Sequence, residues 1–380
     1  MATKYIFVSL PRDEDTFDTL KTSTGENGDV LPFQIPNFKI GTLDALVQQA
    51  DDLGKLETAC QGLVAKVADS LRTLLDGNED KIAQQKMVND KPTENYLRTF
   101  SWNKVRYRAD KPIGELVDNL QKELVTIDND VKGKFNQYTS VKTNFATLQR
   151  KQTGNLATKS LTPIVDPSVL ISDSEYLETH LIAVPTNVKK EFLKSYESIS
   201  PMVVPRSATQ VAQDDEFTLF AATTFKKHSA EFQAKCRENK WTPRPYKHVE
   251  GGREEEQKEF DRVAKEEKKV WGEALRLSRT GWSESVMIWA HVLALRVFVE
   301  SVLRYGLPLE YVPALIVSSP KVSKKVKDSL DKAFSHLGGN AFGRDKRGRI
   351  TKDDAALSSE MAAAGLGEDY TAYVYYEIEV

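Results

Sequence analysis

The sequence predicts an elongated α+β protein that is mainly helical, in which a long antiparallel helical neck joins a compact α/β head to a mixed α/β foot. Two long stretches carry a narrow apolar seam at helical spacing, and two helices cover such seams by pairing with each other. The segment between them alternates short β-rich runs with helical runs and prolines, which predicts the head. Strand-like runs at both ends of the chain indicate a shared sheet in the foot.

The composition is that of a chain with a covered core and no strong charge bias. Its 380 residues suffice for two domains or for one body with an insertion. The 53 basic and 55 acidic residues nearly cancel, so there is no overall attraction to nucleic acid or to an anionic membrane. Cys60 and Cys236 lie far apart, which favours reduced thiols in the cytosol. No secretory signal or membrane-spanning segment is visible, so membrane association is expected only through a partner.

Residues 1–112 are predicted to form the N-terminal part of the foot. The apolar run near the N-terminus is interpreted as a first β-strand that ends at Pro11. Residues 12–30 and 78–93 are polar, and we expect both to be loops.

A first long helix is predicted between these two loops. Thr42 suits the N-cap position, and the charge of Asp44 suits the first turn of the helix. Apolar residues then recur at three- and four-residue steps until residues 76–78, where a glycine is flanked by polar residues. The helix is therefore expected to stop there.

The first neck helix is predicted within residues 113–154. An apolar seam runs from Ile113 to Leu148, and a 36-residue helix of that extent would be about 54 Å long. The rest of its surface is polar, so this helix is not expected inside a compact core.

The second neck helix is predicted within residues 251–282. From Arg253 to Lys269, thirteen of seventeen residues are charged, and a sparse apolar stripe that includes Phe260 and Val263 runs through them. An isolated solvated helix, or disorder, is the alternative. We favour the return arm of an antiparallel pair, because the two seams can then cover each other.

Residues 155–250 are predicted to form the head. No internal repeat of useful period is apparent in the sequence. The predicted strands are Thr179–Val184, Met202–Pro205 and Phe217–Thr224, and the predicted helices are Val188–Ile199 and Phe225–Asn239.

Residues 283–380 are predicted to complete the foot, beginning with a buried helix. From Val286 to Leu303 nearly every residue is apolar. The exceptions form a charged stripe of Arg296, Glu300 and Arg304, which can pair along one face at four-residue spacing. Charges well inside the segment favour a core helix of a soluble protein over a membrane span.

The end of this helix and the final strands are also predicted. Gly306 can take the left-handed conformation that closes a helix, Leu307 is placed for the hydrophobic contact of such a cap, and Pro308 prevents continuation. Ala314–Val317 and Tyr373–Val380 read as strands, and the first and last strands of the chain are expected in one sheet.

Two glycine-containing segments resemble ligand sites only superficially. In Gly338–Asp345 an arginine and an aspartate stand where a phosphate loop needs lysine and a hydroxyl, and the preceding residues, Lys321–Leu337, look helical rather than extended. A helix-ending glycine turn is favoured. In Asp345–Ile350 basic residues stand where a calcium loop needs oxygen ligands, which favours an ordinary turn.

The remaining candidates also favour structural roles. The five histidines form no pair with metal-ligand spacing, and His291 is interpreted as a satisfied core histidine. The acidic cluster Asp214–Glu216 is interpreted as a solvated turn. Arg344, Lys346, Arg347 and Arg349 form the only dense basic run; a solvated hairpin tip is preferred over contact with an acidic protein or nucleic acid. We predict no catalytic, cofactor-binding or metal-binding residues.

Six blocks distributed along nearly the whole chain are informative together, although none of them is a catalytic signature. The blocks are Phe38–Leu46, Tyr96–Leu116, Gly154–Val165, Ser174–Pro185, Ala294–Pro308 and Leu337–Phe342. In number, order and spacing they resemble a known family, the C subunits of the eukaryotic vacuolar-type proton-pumping ATPase.

The resemblance implies a non-enzymatic component of the soluble V1 sector, without a cofactor. In that family the head holds one peripheral stalk, a heterodimer of the E and G subunits. The foot contacts a second stalk and the cytosolic N-terminal domain of membrane subunit a. The protein lies on the cytosolic face of vacuolar and other endomembranes, resists rotor torque and leaves during reversible disassembly. Residues 12–30 and 78–93 depart from the family pattern.

Two functions from other classes remain as alternatives. The glycine loop after Leu337 would suit a nucleotide-dependent enzyme, and the long seams would suit a cytoskeletal or coiled-coil adaptor.

Overall fold

The computed structural model describes residues 3–171, 173–337, 343–344, 350–351 and 371–380. The chain divides into unit 1, which comprises Met1–Lys134 and Ala274–Val380, and unit 2, Phe135–Glu273. In chain order, the helices and strands are β1 Lys4–Pro11, α1 Thr16–Thr24, β2 Asp29–Pro32, α2 Leu43–Leu74, α3 Glu79–Gln85, β3 Met87–Val88, β4 Lys91–Pro92, α4 Thr93–Arg98, α5 Ile113–Thr153, β5 Leu177–Pro185, α6 Lys189–Ser195, β6 Thr209–Gln213, β7 Phe217–Phe225, α7 Ser229–Glu238, β8 Thr242–Arg244, α8 Gly252–Tyr305, β9 Tyr311–Ser318, α9 Ser323–Ala333, β10 Gly343–Arg344, β11 Ile350–Thr351 and β12 Val374–Glu379.

The main sheet of unit 1 is antiparallel, with the strand order β12-β1-β9-β2. The first and last strands pair with each other, as the sequence predicted, and β1 ends at Pro11. Each half of the sheet is a strand, a helix and a strand: β1-α1-β2 and β9-α9-β12. This βαββαβ arrangement is the split-βαβ, or ferredoxin-like, topology. Residues 33–310 lie between its second and third strands.

The two faces of this sheet pack differently. On one face, Ile6, Val8 and Ile316 pack against Leu20 of α1 and Leu330 of α9. On the other face lies a larger core to which β1 and β9 contribute together with α2, the first part of α5 and the second part of α8. Helix α2 begins as predicted, because the side chain of Thr42 accepts a hydrogen bond from the Ala45 N–H at 3.3 Å.

Both segments expected to be loops contain regular structure, so that prediction was wrong. Residues 12–30 contain α1 and the start of β2, and Leu20 of α1 is fully buried. Residues 78–93 contain α3, a two-stranded hairpin and the start of α4. The hairpin turns through Asn89 and Asp90, both with positive φ, which suits a tight two-residue turn. A few isolated apolar residues in these polar segments are enough to pack short helices and strands against a large core.

The charged return arm and the apolar foot helix, predicted as separate helices, form the single helix α8. Gly281 lies inside this helix and does not break it. A Cβ on Gly281 would lie 2.7 Å from Cγ2 of Val131 on α5, so the glycine allows a close approach of the two helices. Within the described residues, α8 alone is long and apolar enough to cross a membrane, but 83% of its apolar window is buried in protein, as in a core helix.

The charged stripe of α8 pairs only partly along its own helix. Arg304 donates to Glu300 at 3.1 Å, as predicted. Arg296 instead pairs with Glu57 of α2 and lies 4.2 Å from the ring centre of Tyr376. Gly306 ends the helix with a φ of 77°, and its N–H donates to the Val302 carbonyl. Leu307 makes no hydrophobic cap, because it is 65% exposed.

Unit 2 contains a second antiparallel βαββαβ sheet, with the order β6-β7-β5-β8. Ile182 and Phe220 face α6 and α7, while Leu181 and Leu219 face a layer that includes Leu156 and Leu161. The predicted strands near 179–184 and 217–224 are confirmed as β5 and β7.

Three other predictions in this region need correction. Met202–Pro205 is not a strand: Met202 has a φ of 58°, and only Val203 forms a β-bridge. The edge strands β6 and β8 were missed, because β6 is mostly polar and β8 is three residues long with a central proline. The two predicted helices begin later and are shorter, as α6 and α7.

The two halves of the unit 2 sheet are a structural repeat, which contradicts the interpretation of the sequence as free of repeats. Strands β5 and β7 each run into one turn of 3₁₀-helix and then into α6 or α7, and equivalent residues are 40 positions apart. Leu181 pairs with its own equivalent, Ala221, so a local two-fold axis passes between them. Glu191-Phe192 and Glu231-Phe232 are identical in the two repeats, but few other equivalent positions are. Equivalent positions share their degree of burial rather than their type of side chain.

The two long helices pair antiparallel within each unit. In unit 1, Arg106 bridges Glu123 of α5 and Glu284 of α8, with N–O distances of 2.9 and 2.7 Å. In unit 2, the rings of Phe145 and Phe260 lie 5.5 Å apart. The contact in unit 2 joins residues of the two predicted seams, whereas the contact in unit 1 involves Glu284, which lies beyond the predicted second seam. An elongated form and the five-part division into foot, neck and head remain predictions.

Candidate functional site

His291, Cys60 and Cys236 are buried and have structural roles. Among those residues, no group of histidine, cysteine and carboxylate side chains is arranged to hold a metal ion. His291 is a satisfied core residue, as predicted: its Nδ1 lies 2.7 Å from the Met287 carbonyl, and its Nε2 accepts the Asn103 N–H. Burial lowers the pKa of His291 to about 4. Cys60 and Cys236 are free and buried, and burial raises the pKa of each thiol to about 12.

Most of the glycine loop and of the basic run lies outside the described residues. These are residues 338–342 and 345–349, so neither the glycine-turn nor the hairpin-tip interpretation is tested. The preceding segment is helical as predicted, over Ser323–Ala333.

The acidic cluster of unit 2 is a turn, as predicted. The carboxylate of Asp214 accepts N–H groups from Glu216 and Phe217 in the β6–β7 connection and from Leu156, at 2.6 to 3.0 Å. Burial acts to raise the pKa of Asp214, but these three donors outweigh it and hold the pKa below its usual value. The carboxylate therefore fastens the turn to residue 156.

The outer surface around α6 and α7 is strongly basic. Residues 186–206 and 226–240, which contain these helices, carry nine basic and four acidic residues, although the whole chain has a slight acidic excess. We call this surface the basic face; Lys190, Lys194 and Lys227 on it are exposed and have no ion pair with a described carboxylate. A surface of this kind favours an acidic protein partner.

Beside the basic face lie three exposed apolar side chains that are joined through the backbone. The N–H of Phe225 donates to the Met202 carbonyl, and the N–H of Lys226 donates to the Tyr176 carbonyl. Tyr176 is 69%, Met202 58% and Phe225 36% exposed. We call these three residues the apolar patch. Adjacent apolar and basic surface is typical of a protein-binding site.

Neither surface was predicted from the sequence. The basic run it identified is dense in sequence, whereas the lysines of the basic face come from segments some 40 residues apart that the repeat brings together. A count of charge over residues 186–240 shows little, because Asp214, Asp215 and Glu216 between the two segments offset most of the excess of lysine and arginine. Unit 1 shows a smaller exposed apolar pair, Leu43 and Val47, one turn apart on α2.

Comparison with known proteins agrees with the resemblance of the sequence blocks. The profile of the V-ATPase C-subunit family matches residues 5–374. The chain belongs to this family. It is 36% identical to the C subunit of the V-type proton ATPase of Saccharomyces cerevisiae over 388 residues, which covers all of this chain and 98% of the yeast protein. It is also 36% identical to the corresponding C subunit of Manduca sexta, over 99% of this chain and 98% of that relative.

A structural comparison adds a much more distant likeness. The solved cytoplasmic N-terminal domain of the I subunit, a homologue of subunit a of V-ATPase, matches with a TM-score of 0.41 and 11% identity, over 88% of this chain and 98% of that chain. A likeness at this level is too weak to support any argument about the function of this chain.

Proposed function

We propose that this chain is a non-catalytic V1-sector component of the vacuolar-type proton ATPase that bridges peripheral stalks and the N-terminal domain of membrane subunit a. The observation that carries the proposal is membership of the V-ATPase C-subunit family over residues 5–374. The protein would lie on the cytosolic face of endomembranes, held there by its partners. It would support the stator during proton pumping and leave during reversible disassembly of the V1 and membrane sectors.

We assign the first stalk, a heterodimer of the E and G subunits, to unit 2. Its basic face and apolar patch offer the two kinds of surface that recognise an amphipathic, acidic partner. The second stalk and subunit a would then contact unit 1, which corresponds to the predicted foot.

Binding to a reconstituted E–G heterodimer tests the assignment in the full chain. Reversing two charges of the basic face, with Lys190→Glu and Lys194→Glu together, should raise the Kd by about 10-fold or more at low salt, because like charges would then meet across the interface. The matched control is Lys258→Glu with Lys268→Glu on exposed positions of α8 in unit 2, outside the basic face, which changes the net charge equally. The control should bind like the parent chain.

Two results would contradict the proposal at different levels. If the parent chain does not bind E–G, the bridging function is wrong, and a cytoskeletal or coiled-coil adaptor becomes the better candidate. If both double variants weaken binding equally, the effect is one of net charge and the basic face is not the contact.

A non-catalytic role also predicts that the purified chain does not hydrolyse ATP. Its glycine loop lacks the lysine and hydroxyl that hold phosphate and magnesium. Hydrolysis that persists through rigorous purification, and that scales with the amount of this chain, would favour the nucleotide-dependent enzyme instead.

A further inference from the structure

Unit 1 contains a preformed cavity of about 350 Å³ at the surface of α8. Met287 and His291 of α8 form its floor. The β3–β4 hairpin, α4 and the segment after α4 form its walls. The polar and charged side chains that line it include Asn89, Lys91, Tyr96, Ser101, Asn103 and Lys104.

Among the described residues, those that line this cavity include cations and neutral donors but no carboxylate. Lys91 and Lys104 lie on different segments, and neither forms an ion pair with a carboxylate of the described residues. Glu284 is close enough to Tyr96, which lines the cavity, to contribute to its raised pKa. The carboxylate of Glu284 is itself paired with the guanidinium of Arg106 at 2.7 Å. The residues that line the cavity therefore carry a net positive charge.

The neutral groups of the cavity are also donors. Burial, with a smaller effect from Glu284, raises the pKa of Tyr96, so its hydroxyl keeps its proton at neutral pH. The side-chain oxygen of Asn103 accepts the Arg106 N–H, which leaves the amide NH₂ as its free polar group. His291 uses both ring nitrogens inside the protein, so it supplies neither a charge nor a metal ligand.

The walls are held in place before any ligand arrives. Trp282 of α8 donates to the Thr93 hydroxyl at 3.0 Å, and that hydroxyl donates to the Lys86 carbonyl, so the hairpin and α4 are fastened to α8. The segment after α4 is fastened by the ion pairs of Arg106 with Glu123 and Glu284. A rigid, cationic, donor-rich cavity suits an oxyanion.

The geometry points to a binding site for a phosphate-bearing small ligand in this cavity, between Lys91 of the hairpin and Lys104 of the segment after α4. Its volume lies at the lower end of the range for small-molecule sites, which favours inorganic polyphosphate or the phosphate of a small polar compound. The site lies in unit 1 and does not include the basic face or the apolar patch, to which the first stalk is assigned.

Calorimetric titration of the full chain with tripolyphosphate tests the site. We expect saturable binding by the parent chain at submillimolar concentration. Lys91→Ala with Lys104→Ala should weaken it by about 10-fold or more, since two charged contacts are lost. Tyr96→Phe, which leaves the charge unchanged, should weaken it by about threefold. The matched control is Lys122→Ala with Lys132→Ala, outside the cavity, and thermal unfolding checks that each variant is folded.

The outcomes separate the possibilities. Loss with the cavity lysines, a smaller loss with Tyr96→Phe and no loss with the control support the site. No saturable binding by the parent chain, or equal weakening by both lysine pairs, would overturn it. Sedimentation with phosphatidylcholine vesicles that contain phosphatidic acid identifies the source of the phosphate. Cavity-dependent binding to tripolyphosphate but not to vesicles assigns a soluble ligand, and cavity-dependent binding to both assigns a lipid headgroup as well.

Discussion

The two βαββαβ sheets have the same strand order, but the chain builds them differently. In unit 2 the four strands come from residues 177–244, and the second and third strands join through the turn at Asp214. In unit 1 the same connection is replaced by residues 33–310, so β1 pairs with strands that are 300 or more positions away. The same topology is thus local in one unit and depends on both ends of the chain in the other.

This difference has a physical consequence. Bringing distant segments together costs chain entropy before the contacts between them stabilise the structure. We therefore expect the unit 2 sheet to form early in folding and the unit 1 sheet to form late. The unit 1 sheet in turn joins segments that no local interaction would keep together. Unfolding of this sheet should therefore remove structure near both ends of the chain at the same time.

The largest expected effect compares one buried phenylalanine in each sheet. Phe7 of β1 packs edge-on against Phe33 at 4.9 Å, and Phe220 of β7 packs against Phe192 at 4.8 Å. Each change to alanine should cost about 3–5 kcal/mol of local stability. In hydrogen exchange of the full chain, Phe220→Ala should lower protection only within residues 177–244. Phe7→Ala should lower it together in β1, β2, β9 and β12.

The contrast between these two variants is what tests the comparison. If Phe7→Ala exposes β1 while β9 and β12 keep their protection, the unit 1 sheet is not one cooperative body. If Phe220→Ala lowers protection in β9, the two sheets do not unfold separately.

A smaller effect is expected at the entry to the unit 2 sheet. A Cβ on Gly154, just after α5, would lie 2.3 Å from Oγ1 of Thr158 and 2.5 Å from the Arg150 carbonyl. Gly154→Ala should therefore destabilise unit 2 by about 1–3 kcal/mol. The control is Gly133→Ala, inside α5 and in unit 1: a Cβ there meets nothing within 4 Å, and the change should stabilise the helix by up to about 1 kcal/mol. Denaturant unfolding that shows the same sign for both changes would contradict this account.

The insertion that interrupts the unit 1 sheet offers a third test, at its first helix. Thr42→Ala removes the side-chain cap of α2 and should cost about 1 kcal/mol. Thr58→Ala is the same substitution at an exposed position inside α2, where the threonine does not cap the helix. This change should be neutral or slightly stabilising. Thermal unfolding of the two variants measures the difference, and equal midpoints would mean that the cap contributes nothing.

The smallest effect concerns the turn that unit 2 has and unit 1 lacks. The folded-state pKa of Asp214 lies below its unfolded value, so the carboxylate contributes stability above pH about 4 and loses it as the pH falls through the folded pKa. Asp214→Asn should therefore lower the unfolding midpoint at neutral pH, and this difference should shrink under acidic conditions. A difference that stays constant from neutral to acidic pH would show that the charge of Asp214 is not involved.

The part of the fold that the sequence predicted well depends on local interactions. The cap at Thr42, the left-handed Gly306 and the start of α5 at Ile113 were all predictable, because each follows from neighbouring residues. The pairing of the first and last strands was also expected. The basic face was not, since its lysines are spread over two segments and become neighbours only through the repeat.

The sequence by itself therefore determined the family, the long helices, the central strands and the structural role of His291. Only the tertiary structure decided what those elements contact. Arg296 could pair with Glu300 on its own helix, but burial places Glu57 of α2 within reach instead. The polar segments 12–30 and 78–93 became ordered because a few apolar side chains rest on a large core. The repeat in unit 2 stayed hidden because packing requires buried residues at equivalent positions rather than identical ones.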